Sequence, residues 1–295
     1  MMLPGHAGTL VILIIFPAIS VCIMMLRMVW RILTGKVGLD DIMVLVATLL
    51  IIPHAYATYM HVAELSYGRA STSEAMRKSL KYNLVSQMLY YPILALVRSS
   101  IILFLFRLRL REVNQPLQLV LWTLFLINFL QVIAVIFADL FQCTPLSCIF
   151  WAPNPASTPP QTLCTCINRP AFFISASALN ISLDVWLLVI PTRLVWYLNI
   201  ALSKKLMVVA VLSFGILATI MGVIRVVFVS THLPSPSLSA QYNIDIISSI
   251  EINVAVWTAA VPALKEMISQ CYPEMFKCFC SLVPHRQMLQ SASRV

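Results

Sequence analysis

Charge is what this sequence has least of. Only 20 Lys and Arg and 11 Asp and Glu occur in 295 residues, 11% of the chain. Soluble domains carry about 25% charged residues, so composition alone excludes an ordinary water-exposed globule. Glycine is scarce as well, at 7 residues, and the apolar runs are not broken by it. No glycine-rich nucleotide loop, pair of metal-binding histidines or serine nucleophile motif is present. Long low-complexity segments and repeats are also missing.

Hydrophobicity fills the space that charge leaves. Apolar residues make up 60% of the chain and the mean hydropathy is +0.89. A helix needs about 20 mostly apolar residues to cross a bilayer. Seven runs qualify, near 9–30, 42–60, 83–106, 117–140, 171–193, 206–229 and 244–266. The first is too long for a signal peptide, has no basic residue before it, and is followed by Arg27 and Arg31. The expected fold is all-α, a seven-transmembrane helix bundle. Its parts are a short outer N-terminus (1–8), the bundle (9–268) and a tail (269–295).

Lys and Arg in short loops set orientation. With the N-terminus outside, thirteen fall on the cytoplasmic side, among them Arg27, Arg31, Lys36, Arg107 and Lys277, and five on the other. The bias predicts N-out and C-in. The outer cluster Arg77, Lys78 and Lys81 runs against it and reads first as a solvated helix start, with contact to outer headgroups or an acidic ligand as the alternative. The net charge of +9 lies between apolar runs, which points to the lipid bilayer and its headgroups rather than nucleic acid.

Four cysteines, Cys143, Cys148, Cys164 and Cys166, share the loop between spans four and five. On an oxidising outer face they can pair in three connectivities. Cys143–Cys164, which closes the loop across its Pro-rich middle, is the first expectation. A zinc site is the alternative, weakened by irregular spacing and the lack of His in the loop. The loop, with Trp151 and PNPASTPP, is expected to be a stapled cap with little regular structure. Cys271, Cys278 and Cys280 follow the last span near Phe276, Lys277 and Phe279, a setting for palmitoylation or for unmodified thiols.

Four ionisable residues lie inside spans: Arg98, Asp184, Arg225 and Glu251. Counting at about 1.5 Å per residue from the outer end places Arg98 and Asp184 at one depth near the midplane. Arg225 and Glu251 share another, in the outer half. Two opposite-charge pairs are expected, each offsetting much of its burial cost. Asn180 shares a helix face with Asp184, whereas Asn253 points away from Glu251. His54 reads as a core histidine, and Asp40 and Asp41 as caps at the start of span two. The sequon NIS at 180–182 lies within a span and is discarded. Ala218 with Gly222, and Gly215 with Thr219, put small residues four apart on span six and permit close helix approach. No lysine lies mid-span, Lys265 being at the end of span seven, so covalent retinal is not expected; no metal or other cofactor is expected either.

Taken in order, GKVGLDD (35–41), LVRSSIILFLFRL (96–108), FQCTPLSCIFW (141–151), LNISLDVWLLVIP (179–191), the run 204–227 with Gly215 and Arg225, and IEINVAVWTAAVPAL (250–264) resemble the fungal rhodopsin-like domain family of integral membrane proteins. That family includes the seven-span part of CFEM-type fungal receptors and proteins of toxin clusters such as satratoxin. The likeness covers about residues 20–268. Leu39 replaces a usual Trp, Arg98 a usual Lys, only Gly68 remains of a Gly-x-Gly-x-His, and Cys148 is additional.

Seven spans, N-out topology, a stapled outer loop and basic cytoplasmic loops suit a receptor-like protein for an unknown small lipophilic ligand, with a cytoplasmic signalling partner. The competing expectation is a membrane component of secondary-metabolite biosynthesis, in which protonated Asp184 or Glu251 starts isomerisation or cyclisation of a lipophilic intermediate. A transporter ranks last, since no half-to-half repeat is visible.

Overall fold

The computed structural model describes residues 6–66, 73–109, 115–145, 148–149, 165–197, 202–232 and 238–282. Among these are seven helices: α1 (His6–Leu33), α2 (Leu39–Ser66), α3 (Ser73–Arg109), α4 (Gln115–Leu140), α5 (Arg169–Tyr197), α6 (Leu202–His232) and α7 (Leu238–Leu282). Two short strands, β1 (Cys143–Thr144) and β2 (Thr165–Cys166), lie between α4 and α5. Successive helices pack side by side and α7 returns to α1, closing a ring. Helix α3 is the hub, touching α2, α4, α5 and α7.

The bundle is apolar on its outside. Ile14, Met25 and Ile32 of α1, Leu119, Trp122 and Phe137 of α4, and Ile216 and Ile220 of α6 are all exposed. Water would penalise such a surface, whereas hydrocarbon does not. Six helices hold apolar stretches of 20 residues or more. In α6 the apolar stretch is Gly215–Thr231, within a helix of 31 residues that is long enough to cross. The protein is therefore an all-α, multi-pass membrane bundle.

Helices outrun the hydropathy spans wherever polar residues still favour a helix. Helix α3 begins ten residues before its apolar run, and Lys78 reaches Glu74 one turn back at 3.2 Å on the exposed face. Helix α7 continues to Leu282, past the expected end of the bundle. Its backbone carries Cys271, Cys278 and Cys280, whose side chains lie outside the described residues.

Helix α1 stops at a Schellman turn. Gly35 adopts φ +63°, its N–H donates to Ile32 O at 3.1 Å, and Lys36 N–H donates to Arg31 O at 3.0 Å. Only glycine takes that backbone conformation without strain, so the chain reverses there into α2.

A short ladder closes the loop after α4. β1 and β2 pair antiparallel, with Cys143 directly opposite Cys166 and Thr144 opposite Thr165. The disulfide joins Cys143 to Cys166, which corrects the expected Cys143–Cys164 pairing. The ladder supplies the reason: it holds the 143 and 166 Cα atoms 4.1 Å apart. Cys148 is disulfide-bonded too. Cys164, Trp151 and PNPASTPP lie outside the described residues, as do Gly68 and Arg69.

Two apolar clusters hold the ring. Met24, Val44, Ile51, Ile93, Val97, Ile252 and Val256 join α1, α2, α3 and α7. Ile102, Leu121, Leu183, Leu187 and Ile190 join α3, α4 and α5. The small residues of α6 face two ways: a Cβ on Gly222 would stand 3.3 Å from Glu251 Oε1, while one on Gly215 would press on the Leu188 side chain of α5 at 2.5 Å.

Candidate functional site

Near the middle of the bundle Arg98 and Asp184 meet. Arg98 Nε donates to Asp184 Oδ1 at 2.7 Å and Nη2 to Oδ2 at 3.0 Å, a two-pronged contact between α3 and α5. Nη2 also donates to the Asn180 carbonyl oxygen at 3.2 Å. Asn180 thus joins this contact through its backbone rather than its amide. The fork matches charge with charge in surroundings where either alone would be costly.

Arg225 and Glu251 behave differently. Among the described residues no ion pair closes between them, although they lie within electrostatic range of each other. The Arg225 guanidinium instead lies over the Tyr90 ring, its carbon 3.9 Å from the ring centroid. Tyr90 also stands beside Glu251, so its ring takes the place where a direct pair would form. Glu251 turns toward the other pair: with Arg98, Asp184, Thr258, Gly215 and Ala218 it lines a cavity of about 50 Å³. The two expected depths are therefore joined, with Glu251 standing between Arg98–Asp184 and Arg225.

A larger cavity, about 110 Å³, opens on the side of Arg225 toward the disulfide-bearing end. Helices α2, α3, α5, α6 and α7 contribute to its lining. His54, Ser86, Tyr90, Arg225 and Asp245 give it a polar wall. His54 Nε2 is 3.2 Å from Ser86 Oγ, which is 2.9 Å from Thr58 Oγ1. His61 spans two partners: its Nδ1 lies 2.9 Å from Ser79 O and 2.8 Å from Ser79 Oγ, and its Nε2 lies 3.4 Å from Asp245 Oδ2. Arg225 is 7% exposed and its Nε has no hydrogen-bond acceptor. A buried cation thus lines open space with part of its hydrogen-bonding edge unused.

Sequence reading singles out His54 and Arg225 here and misses His61, Asp245, Tyr90 and Ser86. Two of these carry a signal that a boundary hides. His61 comes one residue after the expected end of span two, and Asp245 one residue after the start of span seven. Both are well inside α2 and α7.

The opposite end holds a second ionic cluster. Arg27 Nε and Nη2 donate to Asp41 Oδ1 at 2.9 and 2.6 Å, and Nη2 reaches Asp40 Oδ2 at 3.3 Å. A further Arg27 nitrogen donates to the Ala259 carbonyl oxygen of α7. Arg107 Nη1 lies 2.6 Å from Asp40 Oδ1, and Arg31 Nε 3.6 Å from Asp41 Oδ1. Lys36 pairs with Glu266. Asp41 does cap α2, accepting from Gly38 N–H at 3.1 Å. Capping is nevertheless the lesser part of its role, because Asp40 and Asp41 tie α1, α2 and α3 together. Arg27 and Arg31, counted among loop cations, are buried within α1. The loop bias that predicted orientation loses two of its members.

Asn253 points away from Glu251 and works between α1 and α7. Its Oδ1 accepts from Ser20 Oγ at 2.5 Å, and Ser20 Oγ accepts from Trp257 Nε1 at 2.8 Å.

Comparison with known proteins agrees with this architecture. Residues 26–270 match the family profile described as the fungal rhodopsin domain. The chain is 27% identical over 150 residues to a SAT4 family membrane protein of Emericella nidulans, across 51% of this chain and 37% of that protein. It is 38% identical over 78 residues to the polyenoic acids biosynthesis gene cluster protein Ba17b of Metarhizium anisopliae, across 26% of this chain and 20% of that one. The chain thus spans well under half the length of these relatives. No solved structure matches. The profile covers most of the chain and the helices it covers form a closed apolar bundle: the protein belongs to the fungal rhodopsin domain family of integral membrane proteins.

Proposed function

We propose that this protein is receptor-like and binds a small molecule in the Arg225 cavity. One observation carries the reading: a buried, hydrogen-bonding cation lines an internal space instead of closing on a carboxylate. A purely structural set of charges would satisfy itself, as Arg98 and Asp184 do. Ligands in seven-helix bundles belong between helices, where a few convergent polar groups meet an apolar wall. Tyr90 and Glu251 connect the cavity to the Arg98–Asp184 contact, so an occupant that shifts Arg225 alters the field felt by α3, α5 and α7. In this reading the disulfide-bearing end faces outward and residues 269–295 face the cytoplasm, where a signalling partner would dock.

The rival reading is a membrane component of secondary-metabolite biosynthesis acting as an enzyme; the Metarhizium relative is a biosynthesis gene cluster protein. Two features weigh against it. Both Asp184 oxygens already accept from Arg98 N–H groups, which occupies the carboxyl group that would have to reach a substrate. Glu251 borders a space of about 50 Å³, a third of the roughly 150 Å³ cavity that holds benzene, and too small to enclose a lipophilic skeleton.

Mass spectrometry of compounds co-purified or incubated with the protein separates the two. A receptor returns its ligand chemically unchanged, and Ser86→Phe lowers the amount retained. Conversion of the compound, abolished by Glu251→Gln, would replace the receptor reading with the enzymatic one.

A further inference from the structure

The Arg225 cavity also specifies the chemistry of its occupant, an inference that rests on reading it as a ligand site. The Arg225 guanidinium carbon lies over the Tyr90 ring, 3.9 Å from its centroid, a cation–π contact rather than a hydrogen bond. The N–H edge of a guanidinium is a planar fork of donors matched to the two oxygens of a carboxylate. Nε still lacks an acceptor and the residue is 7% exposed.

The nearest acids do not fill the fork. Glu251 lies on the far side toward Arg98 and Asp184. Asp245 has His61 Nε2 at 3.4 Å. His61 Nδ1 sits between a carbonyl acceptor and the hydroxyl of Ser79. Asp245 therefore faces His61, and among the described residues no ion pair closes between Asp245 and Arg225. The remaining wall supplies neutral hydrogen-bonding groups from Ser86, Asn83 and Gln87.

We infer that the cavity binds a carboxylate, either a small organic acid or the head of a longer one, with its oxygens on the in-plane edge of Arg225. At about 110 Å³ the space is smaller than the engineered cavity of about 150 Å³ that holds benzene. It takes a carboxyl group with about two or three further carbons attached, and a longer tail must leave between helices.

The test uses the full chain in lipid nanodiscs and follows thermal unfolding by tryptophan fluorescence. Butyrate, butyramide, butanol and butylamine are titrated at constant ionic strength, with decanoate as a long-tailed acid. Butyrate is expected to stabilise with an apparent Kd at least tenfold lower than butyramide, and butylamine not at all. Decanoate binding more tightly than butyrate identifies a lipid-derived acid, and the reverse order a small soluble one; both uphold the carboxylate. Arg225→Lys should weaken butyrate at least tenfold, and Ser86→Phe, which fills the cavity and keeps the arginine, should abolish its effect. Butyramide or butylamine binding as well as butyrate would overturn the carboxylate and leave the cavity reading standing. No stabilisation by any of the five, or an unchanged response in Ser86→Phe, would overturn both.

Discussion

Asp184 is tolerable within the bundle because Arg98 meets both of its oxygens, at 2.7 and 3.0 Å. Removing one partner of a buried pair leaves the other uncompensated at a cost of about 3–5 kcal/mol. Because the Asp184 side chain keeps 20% exposure, Asp184→Asn should cost about 3 kcal/mol, the lower end of that range. Unfolding in mixed detergent micelles measures it. The double exchange Arg98→Asp with Asp184→Arg should recover part of the loss; equal loss in single and double variants would deny the pairing. Gly38 makes a sharper case, since a Cβ there would collide with the Arg107 guanidinium that reaches Asp40. Gly38→Val and Arg107→Ala should therefore each lower stability, and their combination should be no worse than either. Additive losses in that cycle would separate the glycine from the ion pair. At this scale the mid-span charges were legible because hydropathy makes them conspicuous. His61 and Asp245 were not, because each sits one residue from an estimated span boundary. Tyr90 was hidden by type: an aromatic in an apolar run looks like packing until an arginine is found on its face.

Helix number and order could be read from apolar runs, but helix length could not. Hydropathy measures the stretch in hydrocarbon, whereas α3 and α7 continue through polar turns to 37 and 45 residues. The same limit explains Arg27 and Arg31, placed in a loop by hydropathy and found inside α1 against Asp40 and Asp41. Between α4 and α5 the pairing depended on a two-residue ladder that no composition rule signals. Peptide mapping should recover the Cys143–Cys166 link, and Cys143→Ser should leave the Cys166 thiol free to alkylate. Recovery of a 143–164 peptide instead would contradict the register. The approach of α6 to α7 at Gly222, by contrast, was visible in the small residues of span six. Gly222→Leu inserts a side chain against Glu251 and Ile181 and should cost about 1–3 kcal/mol by overpacking. Gly222→Ala should be mild, since only Glu251 Oε1 has to yield at 3.3 Å.

Over the whole molecule, two ionic centres lie at opposite ends. One joins α1, α2 and α3 through Asp40 and Asp41. The other is a cavity with an unsatisfied arginine, linked through Tyr90 and Glu251 to Arg98 and Asp184. The central claim is that this cavity is water-accessible and electropositive. Reaction of Ser86→Cys with small, membrane-impermeant thiol reagents, followed by mass spectrometry in nanodiscs, tests it most directly. Ser86 lines the cavity, whereas Ser99, buried against Asn128, does not. The account predicts that Ser86→Cys is labelled, faster by an anionic than by a cationic reagent of equal size, and that Ser99→Cys stays unlabelled. Equal inertness at both positions, or faster labelling of Ser86→Cys by the cation, would contradict it.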